Sequence, residues 1–447
     1  MFYVDKLSLN IPETSRPRIV VIGGGFAGIN LVKHLRGLPL QVVLLDRQNY
    51  NGFWPLLYQV ATAGLEPDAI AEPFRKMFSS GFDDFHFRLV RVTGVDITSR
   101  IINTVIGDLS YDYLVIATGT RTNFFGNTSV MQNSFPLKRM PHALDLRSQI
   151  LQALEQANMT TDKMLRQRLL NIVIAGGGPT GVELAGALAE MRKYIFHRDY
   201  PGIDFSKMNI YLVEGASRVL PLMSPQVSSW TLRYLEKRGI IVKLKTLVTA
   251  YDGQDVLLND GEEISAHTLI WAAGVKGNLI DGIPGTSIEA GRLLVNVYSQ
   301  VRDVDNIFAI GDIALMKTAE YPKGHPGVAQ PAIQQGKHLA KNIKRMLKQK
   351  SLLPFNYFNK GNLAIIGRNG AVADLPGNIH MYGFPAWITW LVVHIYYSIG
   401  FRNKLVVMSN WIYRFFTYQR ANRLIIRPFV RKEDKAGQEL INRYQQE

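Results

Sequence analysis

One local pattern constrains this chain more than any other, and it occurs twice. From Arg18 the β-branched run Ile19-Val20-Val21-Ile22 meets Gly23, Gly25 and Gly28 in GxGxxG spacing. A helix follows with Ile29, Val32 and Leu35 on one face, and a second apolar strand from Val42 to Leu45 ends at Asp46. Strand, glycine turn, helix, strand and terminal acid make the βαβ unit that cradles a dinucleotide. The same order returns with the strand 171–175, Gly176, Gly178 and Gly181, a helix expected over 182–196, a strand over 209–213 and Glu214. One such motif is weak evidence; two in full context specify an α/β chain with two Rossmann-like dinucleotide-binding domains.

Physical chemistry assigns each residue type its task. The glycines let the backbone turn tightly and approach a pyrophosphate, whose charge sits at the N-terminus of the next helix. The closing acids, Asp46 and Glu214, suit ribose hydroxyls, and Glu214 opposes a 2′-phosphate, which favours NADH over NADPH. Three more strands fit the plan: 111–120 runs into Ala117-Thr118-Gly119, 268–275 into Ala272-Ala273-Gly274, and 305–312 into Gly311-Asp312. The second unit therefore reads as inserted in the first. The expected boundaries are 1–125 with 285–384 for the first domain, 126–284 for a helical connector and the second, and 385–447 for a C-terminal helical membrane-binding region.

The chain has no cysteine. Thiolate metal sites, iron–sulfur clusters and redox-active disulfides are excluded, and the histidines show no metal-binding spacing, so no metal is expected. Lys and Arg outnumber Asp and Glu by 51 to 36, which calls for a polyanionic partner. Residues 385–432 hold Arg402, Lys404, Arg414, Arg420, Arg423, Arg427, Arg431 and Lys432 without one acid, beside Trp387, Trp390 and Trp411. A segment both basic and aromatic suits a membrane surface with anionic lipids rather than nucleic acid. Residues 384–401 carry no formal charge apart from titratable His394; they read as an interfacial or a core helix, with a span as the alternative. In the next helix Leu405, Met408, Ile412, Phe415 and Phe416 share one face, Asn403, Asn410, Arg414 and Thr417 the other, and the arginines are expected to turn toward lipid.

The whole arrangement resembles the two-dinucleotide flavoprotein superfamily. Within it, 49–67 (NYNGFWPLLYQVATAGLEP), 325–343 (HPGVAQPAIQQGKHLAKNI), 360–375 and the tail resemble the type II NADH dehydrogenases, single-subunit NADH:quinone oxidoreductases. The resemblance implies FAD on the first domain, held by Gly23, Gly25, Gly28, Asp46, Ala117, Thr118, Gly119, Asp312, Ala329 and Gln330. It implies NADH on the second, at Gly176, Gly178, Gly181, Glu214, Ala273 and Gly274. It implies further that Gln330 and Gln334 line a quinone path beside the flavin, and that Glu183, read here as a first-turn residue, points into the nicotinamide–flavin site. Several family members carry His where this chain has Ile333, so a proton-relay role at that position is absent here or falls to another group. The implied reaction is two-electron transfer from NADH to menaquinone or ubiquinone without proton pumping. The implied location is peripheral, on the cytoplasmic face of the cell membrane or the matrix side of a mitochondrial one, with a homodimer left open. The alternatives are a soluble NAD(P)H-dependent reductase of a protein acceptor and a non-catalytic redox sensor.

Overall fold

A computed structural model describes residues 7–420 and 422–430; Arg431 and Lys432 of the basic tail lie outside the described residues. The chain divides into two compact units, one of Met1–Gly52, Ala71–Arg121 and Val275–Lys360, the other of Phe53–Ile70, Thr122–Gly274 and Gly361–Glu447. Relative to the boundaries expected from sequence, Phe53–Ile70 and the residues from Gly361 onward fall in the second unit.

The first unit is built on a five-stranded parallel sheet in the order Ile307–Ala309, Tyr113–Ile116, Arg18–Ile22, Gln41–Asp46, Phe85–Leu89. Its register sets Ile19 opposite Val42 and Val21 opposite Leu44. Period-two alternation sorts these side chains into two cores. Val20, Ile22, Val43 and Leu45 pack on one face of the sheet and Ile19, Val21, Val42 and Leu44 on the other, as expected of parallel strands covered on both sides. The second face is closed by the helices Phe26–Leu35 and Ala329–Met346. They cross closely because Gly336 has no side chain; a Cβ there would stand 2.4 Å from the Ala27 carbonyl oxygen.

The second unit repeats the design with the parallel order Phe135–Pro136, Thr268–Trp271, Ile172–Ala175, Ile210–Glu214, Ile240–Leu244. Its glycine-loop helix spans Pro179–Met191, beginning three residues before the expected start because proline is well suited to the first helical position. A π-helical turn, Arg192–Phe196, continues it. The helix also packs on an antiparallel sheet of Asn362–Gly367, Gly370–Leu375 and Ile379–Tyr382, where a Cβ on Gly186 would lie 2.1 Å from the Ile366 oxygen. Two C-terminal helices follow, Gly383–Tyr397 and Phe401–Thr417. Among the described residues no helix is long and apolar enough to cross a membrane, so the spanning alternative for 384–401 is not realised.

The outer helix, Phe401–Thr417, leaves its apolar face outside and departs from expectation in its arginine. Asn403 is buried, Asn410 donates to Glu66, and Arg414 donates to Gln59, whereas Leu405, Met408, Ile412 and Phe416 are exposed. Its polar face is the inner one, and Arg414 and Arg420 point into the protein rather than toward lipid. Beyond it, the chain is pinned along the helix Met140–Met159: the Gln152 amide pairs with both backbone groups of Phe429 (3.1 and 2.7 Å), and Asp145 bridges to Arg427 (2.6 Å).

Candidate functional site

The two glycine loops solve one steric problem in one way. Gly23 (φ +104°) and Gly28 are required by the chain itself, since a Cβ would stand 2.4 Å from the Ala117 oxygen and 1.9 Å from the Gly23 oxygen. Gly176 (φ +109°) and Gly181 repeat this, at 2.7 Å from the Ala272 oxygen and 1.9 Å from the Gly176 oxygen. The middle glycines differ. A Cβ on Gly25 or Gly178 would meet nothing within 4 Å, so packing gives no reason for glycine there, and each loop offers an open space at its helix N-terminus. A helix N-terminus with open space before it is where the backbone can approach a pyrophosphate.

Each closing acid is tied to its loop. Asp46 accepts from the Gly24 amide (2.6 Å) and the Gln48 amide (2.8 Å); Glu214 accepts from Gly177 (2.5 Å) and Ala216 (2.7 Å). A carboxylate oxygen has lone pairs to spare after one such bond, so each acid can still receive ribose hydroxyls. Burial raises the Asp46 carboxyl above its usual range, and the two amides act against it. In the first unit Thr118 donates to the Asn278 carbonyl (2.7 Å), and Gly119 (φ +64°) turns the chain. Gly311 (φ +76°) precedes Asp312 and donates its amide to Gln335 (2.7 Å). Gln335 is buried and was not singled out in the sequence. In the second unit the carbonyl of Gly274 (φ +127°), next to Ala273, accepts from Asn123 at 3.1 Å.

The glutamines of the Ala329–Met346 helix have partners within the chain. Gln334 donates to the Phe358 carbonyl (2.9 Å) and accepts from the Phe358 amide (3.0 Å), and Gln330 accepts from the Lys360 amide (3.0 Å). Gln334 therefore straps an extended segment to the helix, with one N–H and one lone pair beyond those two bonds.

Glu183 also moves. Pro179 opens the helix, so Glu183 lies past the first turn, and its side chain enters a cleft formed wholly within the second unit. The cleft is lined by Trp387, Trp390, Trp411, Phe415 and Tyr58, an apolar and aromatic wall with a few polar groups set into it. Glu183 is 8% exposed and takes only a long contact from the Ile365 amide (3.5 Å). Burial raises its carboxyl well above the usual carboxylate range, with the Ile365 amide and the Trp390 indole acting weakly against it. Burial, then the Glu183 charge, pushes the Tyr58 phenol up.

A polar wall faces them. The Gln59 oxygen accepts from the Trp411 indole (2.9 Å) and Arg414 (3.0 Å), and its amide donates to the Tyr58 oxygen (2.9 Å). Arg420, 3% exposed, donates to the Thr62 carbonyl (2.6 Å) and lies 3.6 Å from Glu190. His394 stacks on Trp390 with centroids 3.9 Å apart, and burial lowers it to about 4, so it stays neutral. Sequence reasoning missed this cleft. The three tryptophans were its one visible signal, and they read as membrane anchors; in fact Trp390 is fully buried. Among the described residues no cluster of His, Asp or Glu could hold a metal.

Comparison with known proteins agrees with this architecture. Residues 17–336 match the pyridine nucleotide-disulphide oxidoreductase family, and 359–419 match the NDH2 C-terminal domain. The chain is 34% identical over 414 residues to the type II NADH:quinone oxidoreductase NdhA of Mycobacterium tuberculosis, covering 89% of this chain and 86% of that one. It is 28% identical over 474 residues to the mitochondrial external alternative NADH-ubiquinone oxidoreductase of Yarrowia lipolytica, covering 90% and 79%. In fold it is similar to the NDH2 of Plasmodium falciparum in complex with NADH (TM-score 0.84, 22% identity, 92% of this chain and all of that one). The sulfide:quinone oxidoreductase of Aquifex aeolicus is more distant (TM-score 0.69, 19% identity, 90% and 95%); sulfide chemistry through a thiol is excluded here, since this chain has no cysteine. Paired nucleotide loops, the matched C-terminal domain and end-to-end relatedness lead to one conclusion: this chain belongs to the type II NADH:quinone oxidoreductases, enzymes that oxidise NADH and reduce quinone without pumping protons.

Proposed function

We propose that the first unit holds FAD at Gly25, Asp46 and Asp312, that the second receives NADH at Gly178 and Glu214, and that the tryptophan-lined cleft takes the quinone head. The open cradle at Gly25, which a Cβ would fill, supports the fit to FAD. When bound, the flavin supplies the two-electron relay between nicotinamide and quinone. The chain's own residues do the remaining work. The loop amides and helix N-termini hold the pyrophosphates; Glu214 selects the nucleotide lacking a 2′-phosphate; and Glu183, whose carboxyl is raised by burial, faces a ligand that gains protons as it is reduced. The overall balance is NADH plus one proton plus quinone giving NAD⁺ and quinol.

The observation that carries the quinone assignment is the continuity of the cleft with an apolar ridge. Its Trp387 stacks with exposed Phe384 (5.7 Å), and its Phe415 touches exposed Phe416 (5.3 Å). Leu405, Met408 and Ile412 extend that exposed face. Such a ridge suits peripheral attachment to a lipid surface, from which an apolar quinone tail would enter. The test is anaerobic addition of NADH to the flavin-loaded protein, then a short-chain 1,4-quinone, with the flavin absorbance followed. Bleaching and then rapid recovery is expected. Bleaching without recovery by any quinone would favour a nucleotide sensor.

A further inference from the structure

One half-buried cation in the cleft carries buried donor atoms that no group among the described residues takes up. The guanidinium of Arg368 lies between two rings, 4.2 Å from the centroid of Phe415 and 4.2 Å from that of Tyr418. Its Nε and Nη1 atoms are buried and have no hydrogen-bond partner among the described residues. Among the described residues no carboxylate forms an ion pair with it; Glu190, which also lines the cleft, bonds the Arg368 backbone amide instead. Buried guanidinium donors left unpaired are costly, and they persist where a ligand supplies the acceptor.

The surroundings hold the guanidinium in place. Tyr418 stacks on Tyr194 with centroids 4.1 Å apart, and Tyr194 is presented by the π-helical turn. Tyr418 itself sits in the left-handed region (φ +59°), a conformation that a bulky residue adopts only when its surroundings impose it. Phe415, Arg368, Tyr418 and Tyr194 thus form one continuous stack on the cleft wall.

Glu183 and Arg368 line the same cleft. Their backbones are anchored apart along one helix: Glu183 contacts the backbone at Ile365, and Glu190, seven residues on, contacts it at Arg368. A ligand with two opposed hydrogen-bonding oxygens can engage a group at each end. We propose that Arg368 is the donor that grips the quinone oxygen remote from Glu183, so that the cleft selects quinones with opposed carbonyls. This rests on the assignment of the cleft to the quinone head. A fixed, always-charged fork on an aromatic face suits that task, since it also favours the negative charge an oxygen gains on reduction.

The test uses the holoenzyme without NADH and follows quenching of the cleft tryptophans by 1,4-naphthoquinone and by α-tetralone, which has a single carbonyl. In the unmodified enzyme naphthoquinone should bind more tightly. Arg368→Gln should weaken naphthoquinone binding about tenfold or more, the effect of losing a charge-assisted hydrogen bond, and abolish its advantage over α-tetralone. Arg368→Lys, which keeps the charge and the stem, should fall between, and it guards against a Gln variant that fails to fold. In turnover the KM for quinone should rise by more than kcat falls. Absence of quenching in the unmodified enzyme would overturn the cleft assignment and this inference with it. Quenching with equal affinity in all three proteins would overturn the role of Arg368 alone.

Discussion

Replacing Gly178 with Ala, beside Gly181 with Ala, separates the two reasons a nucleotide loop has for its glycines. Gly178 has φ −73° and ψ −176°, extended backbone that alanine adopts freely, and its Cβ would meet nothing within 4 Å. Restricting the unfolded chain stabilises by about 0.4–1 kcal/mol; loss of a helix N-cap glycine opposes this by roughly the same amount. The folded state should therefore change by no more than about 1 kcal/mol. Nucleotide binding should change far more, because the new methyl group occupies the space a phosphate oxygen would take. Each charge-assisted hydrogen bond lost costs about 1.5–3 kcal/mol, so the KM for NADH should rise about tenfold to a hundredfold. Gly181→Ala is the converse case. Its Cβ would stand 1.9 Å from the Gly176 oxygen, a backbone atom that cannot step aside, and overpacking of this kind costs about 1–3 kcal/mol or more. Thermal melting without nucleotide, with the KM for NADH at saturating quinone, decides between them. A Gly178→Ala enzyme with an unaltered KM for NADH, or one that melts as low as Gly181→Ala, would refute the reasoning.

Three further outcomes are expected. Glu214→Ser should narrow the preference for NADH over NADPH by relieving repulsion of the 2′-phosphate, while slightly weakening NADH because the Gly177 amide loses its acceptor; equal efficiency with both nucleotides before the change would place the acid elsewhere. Glu183→Gln should remove a pH dependence. Since burial raises this carboxyl, the native state keeps a proton that the unfolded chain releases, so its contribution to stability is present below the ordinary carboxylate range and is lost as pH rises toward the native value. Melting curves of the Gln variant should lack that decline, and its quinone reduction should lack the matching titration; identical pH profiles would show that Glu183 does not titrate there. Ile412→Asp with Phe416→Asp, both at exposed positions, should leave melting unaltered and weaken liposome binding about tenfold or more, whereas unchanged co-sedimentation would remove the ridge as the anchor.

The two βαβ units were legible because local sequence must satisfy local sterics there. A strand buried on both faces has to be apolar throughout, and Gly23, Gly28, Gly176 and Gly181 are dictated by backbone oxygens within a few residues or one strand away. The cleft was not legible for the opposite reason. Tyr58, Glu183, Arg368 and Trp411 come from four separate stretches, and none carries a local sign of the others. The helix boundary illustrates a smaller failure: Pro179 marks the true start, and reading the helix from Val182 placed Glu183 at a dipole-favoured end that it does not occupy. For Gln334 the pattern gives the residue but not its pairing with the backbone of Phe358, which lies 24 residues further on.

The outer helix shows what an amphipathic pattern leaves undetermined. Periodicity reveals two faces; which one turns inward depends on partners elsewhere in the chain. Here Gln59, Glu66 and the cleft supply polar partners for Arg414, Asn410 and Arg420, so the apolar face is left outside. This changes the electrostatics of the tail. Of its eight basic residues, Arg414 and Arg420 are turned inward; Arg402, Arg423 and Arg427 face Asp68, Asp199 and Asp145 at 3.4, 2.7 and 2.6 Å. Among the described ones Lys404 alone has neither a carboxylate partner nor a place in the cleft, donating instead to the Tyr396 carbonyl. Arg402 and Arg427 keep largely exposed side chains, so their ion pairs lie at the surface, and among the described basic residues of the tail Arg414 and Arg420 are the two withdrawn into the cleft. Under the proposed lipid attachment the contact falls to the exposed ridge of Leu405, Met408, Ile412 and Phe416, an interaction that salt screens little.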